Sequence, residues 1–284
     1  MKKHLVMTAA LLATGLVSGC GSSGSGNTMT NQTSAEKSVV SGAVADGYLV
    51  NATVFLDKNG NYRLDAGEPS TSTIAKGVYS LTVDFADVGK YPIVALATKG
   101  VTIDEDTNQA VASSYVLSLP KDSVSGTVNS NFISPITTQV REMMETGTYS
   151  SMQQAMEDLR TKMGLPGGTN VMSDYMAANN TAIHAAARNM ASLMGSQMSQ
   201  VLPGSGSNTT VDVNRYRGMM GTIFSNISSV KIPNAPMTNL MGTMATALSN
   251  VPASGTGQPY KNMSTAFRGT MGGMNTKMGG MMGK

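Results

Sequence analysis

Residues 41–83 read SGAVADGYLVNATVFLDKNGNYRLDAGEPSTSTIAKGVYSLTV, and their patterning decides the fold. Ala52-Thr53-Val54-Phe55-Leu56 alternates and stops at Asp57, and Val78-Tyr79-Ser80-Leu81-Thr82-Val83 alternates again after a Lys76-Gly77 turn signal. A period of two puts every second side chain on one face of an extended strand. Working outward, Ser38–Val44 is short and β-branched, and Val111–Leu119 supplies a further strand. Tyr91–Ala97 is nearly continuous apolar, which suits a buried strand with Pro92 near its start. Short strands joined by Gly and Asn turns predict a small antiparallel β-sandwich over residues 39–121.

The polar run inside that stretch has its own register. Counting Asp57 as position 1 puts oxygen-bearing side chains at Asp57, Asn59, Asn61, Asp65 and Glu68, positions 1, 3, 5, 9 and 12. This is the spacing of a twelve-residue calcium loop, in which Arg63 at position 7 lends only its backbone carbonyl. Calcium is a hard ion that takes six to eight oxygens, and alternate residues of a tight loop turn inward to supply them. Position 6 departs from the pattern: the turn there needs a positive φ, and Tyr62 stands where glycine is usual. The expectation is a turn made differently or a weakened site. A plain polar turn uses the same residue types, but five ligands in register favour Ca²⁺.

On these residues the run from Ser41 to Val83 resembles the calcium-binding B-type repeats of bacterial surface adhesins. It is also similar to the carboxypeptidase regulatory-like, prealbumin-type sandwich. The resemblance covers some 80 residues, to about Leu119. It implies a sandwich module with Asp57, Asn59, Asn61, Asp65 and Glu68 as ion ligands, serving as spacer and adhesive surface rather than as catalyst. Ile133-Ser134-Pro135-Ile136-Thr137-Thr138 is similar to a segment that follows such modules in secreted bacterial proteins and heads a helical region.

Beyond a polar boundary at 121–131 (KDSVSGTVNSN) the pattern turns helical. Ser134-Pro135 reads as an N-cap with proline at the first helical position, opening a helix to about Glu145. Met152, Met156, Leu159 and Met163 share one helix face, as do Ile183, Ala187, Met190, Met194 and Met198 on a helix over roughly 174–201 capped by Asp174. Weaker helices follow at 213–230 and 237–248. The whole reads as α+β: a β-sandwich followed by a Met-rich α-helical domain over 131–250.

The two ends carry the address and the tail. Lys2 and Lys3 precede a short apolar run, and Leu16-Val17-Ser18-Gly19-Cys20 resembles a bacterial lipoprotein lipobox. The resemblance implies a signal peptide at 1–19, lipidation at Cys20 and a membrane anchored through acyl chains. Gly21 after the cysteine resembles the sorting pattern of Gram-negative lipoproteins bound for the outer membrane, which implies a location there, periplasmic or surface-facing. Residues 20–38 read as a flexible tether. Loss of Lys2 and Lys3 lowers the formal charge from +3 to about +1.

The tail, 251–284, is Gly- and Met-rich, basic, and expected to be disordered. Its Met271, Met274, Met278, Met281 and Met282 are soft thioethers that select Cu(I), the alternative metal role. No Asp or Glu follows Asp212, while Arg215, Arg217, Lys231, Lys261, Arg268, Lys277 and Lys284 do. Such a balance reads as a solvated face or as one that attracts envelope or extracellular polyanions or surface polysaccharide. The charges are too widely spaced, with too few aromatics between them, for specific nucleic-acid recognition.

One cysteine excludes disulfide scaffolds, zinc fingers and thiol redox motifs. His184 is the sole histidine besides His4, and no Gly-x-Ser-x-Gly elbow surrounds any serine. Glu142 with Glu145, and Glu157 with Asp158, read as helix-surface carboxylates. Asp104-Glu105-Asp106 with Asn108 reads as a solvated acidic loop or a second cation site. The expectation is a non-enzymatic, adhesin-like binding or scaffold protein of the cell surface.

Overall fold

The computed structural model describes residues 35–126, 130–202 and 211–251, and they form a mixed α+β fold. Ten strands come first: β1 (Lys37–Val44), β2 (Leu49–Val50), β3 (Thr53–Leu56), β4 (Ser70–Ser72), β5 (Val78–Asp84), β6 (Ile93–Ala97), β7 (Ile103–Asp104), β8 (Gln109–Ala110), β9 (Tyr115–Leu119) and β10 (Asn131–Ile133). Three small sheets result, ordered β4-β3-β6-β9, β10-β1-β5 and β2-β7-β8. All pairs are antiparallel except β1 with β10. Strand β5 alternates buried and exposed residues as its sequence does. Strand β9 is buried at every position because helices cover it, so its residues need not alternate.

The polar stretch 121–131 contributes to the sheet. Asn131 lies opposite Gly42 in the parallel β1–β10 pair. A Cβ on Gly42 would stand 1.8 Å from the Asn131 carbonyl oxygen, so only glycine admits this approach. The buried Asn131 amide donates to the Ser41 (3.0 Å) and Ser125 (2.8 Å) carbonyls and accepts the Ser125 N–H (2.8 Å). Tyr79 Oη donates to the Asn131 carbonyl at 2.8 Å. The segment is polar because its side chains stitch backbone to backbone, which keeps buried polar groups satisfied. The described residues from Ala35 onward belong to one compact unit, and residues of 39–121 and 131–250 share one hydrophobic core.

Six α-helices follow among the described residues: α1 (Pro135–Glu145), α2 (Met152–Met163), α3 (Thr181–Val201), α4 (Val213–Ser225), α5 (Ile227–Val230) and α6 (Thr238–Ser249); α1 and α3 pack on β9, while α2, α5 and α6 pack on other helices. Ser134 caps α1 in a reciprocal box with Thr137. Thr137 Oγ1 donates to the Ser118 carbonyl (2.9 Å), and Thr138 Oγ1 accepts the Ser118 N–H (2.8 Å). The Ser-Pro-Ile-Thr-Thr run thus fastens the start of α1 to β9.

Two helix boundaries differ from the sequence reading. Asp174 caps only a turn, accepting the Met176 and Ala177 N–H groups at 2.9 Å, and Asn180 caps α3 instead. The helix read over 213–230 breaks at Asn226 into α4 and α5. The face of Ile183, Ala187, Met190, Met194 and Met198 is buried throughout, where flexible thioethers fill irregular gaps. Among the described residues no helix is long and apolar enough to cross a membrane.

Candidate functional site: the 57–68 loop and its anchor

Strand β3 leads directly into Asp57, whose side chain is fully buried. Its Oδ1 accepts the N–H groups of Gly60 (2.8 Å) and Asn61 (3.1 Å), and its Oδ2 accepts that of Tyr62 (3.2 Å). One carboxylate thus winds the loop around itself, as a short Asp side chain bonding to following backbone groups does. Asn59 and Asn61 Nδ2 both donate to Asp65 Oδ2, at 2.8 and 2.7 Å. Asn61 Oδ1 accepts the Arg63 N–H (2.8 Å). Glu68 closes the loop: Oε1 accepts the Lys58 N–H (2.7 Å) and Oε2 that of Asp65 (2.9 Å). The amide donors, Asn59 foremost, hold the Asp65 carboxyl below its usual range, and burial raises that of Glu68.

Tyr62 resolves the departure at position 6. Its φ is +61°, so the turn has the left-handed conformation the spacing requires, made by a tyrosine. A bulky residue there costs about 1–2 kcal/mol. Burying the ring offsets this, since a large side chain contributes about 1.5–3 kcal/mol on leaving water. The ring packs 4.7 Å from that of Tyr216, with the Arg141 guanidinium 4.0 Å over its face. Its hydroxyl donates to Glu142 Oε1, and burial pushes its pKa up, so it keeps the proton it donates.

A buried network joins the loop to helices α1 and α4. Arg141 Nη2 donates to Asp57 Oδ2 (3.2 Å), and Arg217 Nε donates to Glu142 Oε2 (3.1 Å). Glu142 is therefore no helix-surface carboxylate: it is 3% exposed, between Tyr62 and Arg217. Tyr62, Arg141, Glu142, Tyr216 and Arg217 were not legible as a group, because Tyr62 lies 80 residues from Glu142, Arg141 84 from Asp57, and Arg217 75 from Glu142. The one available signal was a bulky residue at a position that ordinarily takes glycine.

The donor chemistry of the loop fits a hard divalent ion: three carboxylates, two amide oxygens and the Arg63 carbonyl on the matching spacing, around a position 6 of positive φ. The side chains themselves are closed on internal donors, and Asp57 faces Arg141. Among the described residues no three His, Cys, Asp or Glu side chains gather as a metal cage.

The second acidic cluster packs against α3. Asp106 Oδ2 is 2.6 Å from His184 Nε2 and 3.8 Å from Arg188 Nε, and the His184 ring stacks on Tyr175 at 5.9 Å. Glu105 accepts the Lys76 N–H at 2.8 Å. Beside them Asp46 is buried. Tyr115 Oη donates to its Oδ2 (2.6 Å), and its Oδ1 has no hydrogen-bond partner. Burial first, then the charges of Asp104 and Asp106, push the Asp46 carboxyl up to about 7, against the lowering effect of the Tyr115 hydroxyl. A cavity of about 480 Å³ adjoins Asp46, Asp104, Arg188 and Ser192.

Cys20 and Met271, Met274, Met278, Met281 and Met282 lie outside the described residues. Compared with known proteins, the chain matches no family model, no curated sequence and no solved structure.

Proposed function

We propose that this chain is a lipid-anchored binding or scaffold protein of the cell envelope, adhesin-like, whose 57–68 loop takes a calcium ion that stiffens it. In this reading residues 39–121 are the sandwich-type module, and the Met-rich helices of 131–250 brace it. The observation that carries the proposal is Tyr62 at φ +61°. The sixth position of the loop has the backbone the calcium-loop spacing calls for, although the residue opposes it. Asp57, Asn59, Asn61, Asp65 and Glu68 would hold the ion with the Arg63 carbonyl. The ion would supply a charged centre holding both ends of the loop, at an affinity typical of weak extracellular modules, about 10⁻⁴–10⁻³ M.

Thermal melts in EDTA, magnesium and millimolar calcium test this. Calcium is expected to raise the midpoint of the parent chain by a few degrees, since a ligand of the native state stabilises by mass action. The Asp65→Asn/Glu68→Gln double variant is expected to lose that rise. It is preferred to a variant at Asp57, whose removal would strand the buried Arg141 charge. A rise of equal size in the double variant, or none in the parent, overturns the assignment.

A further inference from the structure

We propose that Arg141 is a built-in counter-cation of the 57–68 loop, competing with a bound divalent ion for Asp57 and so setting the affinity of the site. The inference rests on the calcium reading above and deepens it.

Arg141 comes from α1, 84 residues away in sequence, yet it is the cation against the first ligand position of the loop. Both side chains of the pair are buried, Arg141 at 3% exposure and Asp57 at 0%. The guanidinium is not placed by its own hydrogen-bonding needs: Nε and Nη1 are buried and have no hydrogen-bond partner. An arginine stays charged at any ordinary pH, and a buried charge needs compensation. Here that comes from the Asp57 carboxylate, 3.2 Å from Nη2, and from the Tyr62 ring face at 4.0 Å. Glu142, the nearest other carboxylate of α1, is already engaged by the Tyr62 hydroxyl and by Arg217.

A divalent ion held by this loop draws on the same Asp57 carboxylate. Two cations on one buried carboxylate repel each other, and the low dielectric of the interior makes that repulsion count. Arg141 therefore lets the loop close without an ion, at the expense of affinity for one. The Asn59 and Asn61 amides play the parallel part at Asp65, each placing a donor hydrogen on Oδ2. Unlike the guanidinium, an amide can turn and offer its oxygen instead.

The test is calorimetric titration of the purified full chain with calcium chloride alone, with magnesium as control. It compares the parent, Arg141→Met, and Arg141→Met carrying Asp65→Asn. Methionine keeps an unbranched apolar stem and a similar helical propensity without the charge. Arg141→Met is expected to bind calcium at least about tenfold more tightly than the parent, about 1.4 kcal/mol. Adding Asp65→Asn is expected to abolish the gain. Equal or weaker calcium binding in Arg141→Met, beside measurable binding by the parent, overturns the role of Arg141 and leaves the calcium reading standing. No binding by any variant, with circular dichroism showing all folded, overturns both. If Arg141→Met does not fold in EDTA, refolding in millimolar calcium but not magnesium supports the inference, and failure in both overturns it.

Discussion

At the residue scale the chain concentrates cost at Tyr62 and Asp46. Tyr62 adopts a left-handed backbone that tyrosine disfavours, and recovers the cost through a buried ring and a hydroxyl held by Glu142. Sequence spacing marked the position as anomalous, but the partners that make it tolerable come from α1 and α4 and leave no local trace. Asp46 stores its cost as a shifted proton. Its folded pKa of about 7 exceeds its ordinary 3.8, so the native state binds the extra proton between these limits. The stability this group contributes is full below about pH 4 and is lost as pH rises through 7. The shift corresponds to a loss on the order of 4 kcal/mol. In Asp46→Asn, which keeps an acceptor for Tyr115, the fall in urea-unfolding free energy between pH 5 and 8 is expected to shrink, and the variant to exceed the parent in stability at pH 8. An unchanged pH slope would contradict this account of Asp46.

At the element scale most of the fold was legible. The alternation over 78–83 is β5, and the Ser134-Pro135 signal is the capping box and first residue of α1. The Met-spaced face of 183–198 is the buried face of α3. Elements defined by long-range pairing were not. Strand β10 is three residues at the end of a polar stretch, Asn131–Ile133, and no local pattern shows that it lies parallel to β1. The start of α3 moved from Asp174 to Asn180 because both are good caps and only packing chooses between them. The β1–β10 junction gives a clean steric test. Gly42→Ala puts a methyl group 1.8 Å from the Asn131 carbonyl oxygen and is expected to cost about 3 kcal/mol, lowering the melting midpoint by roughly 6–12 °C. Gly242→Ala, in a helix with open space around the new methyl group, is expected to hold or slightly raise it. Equal midpoints for the two variants would refute the close approach.

At the scale of the whole molecule, the strand-forming first half and the Met-rich second half join around one core. The 57–68 loop is one of the joints: Asp57 with Arg141, and Tyr62 with Glu142 and Tyr216, carry β3 onto α1 and α4. The change from period-two to helical patterning at 121–131 separates the halves in the sequence, and the joint is invisible there because each half holds only one side of these pairs. A loop so clamped would pass stiffening by the proposed ion at 57–68 to the strands and to α1 and α4.

The most direct measurement is a crystal structure of the chain at saturating calcium, read at 57–68. The expected result is one ion ligated by oxygens of Asp57, Asn59, Asn61, Asp65 and Glu68 and by the Arg63 carbonyl, with Tyr62 still at positive φ and still bonded to Glu142. An ordered loop without an ion, its Asn59 and Asn61 amides still donating to Asp65, would contradict the account.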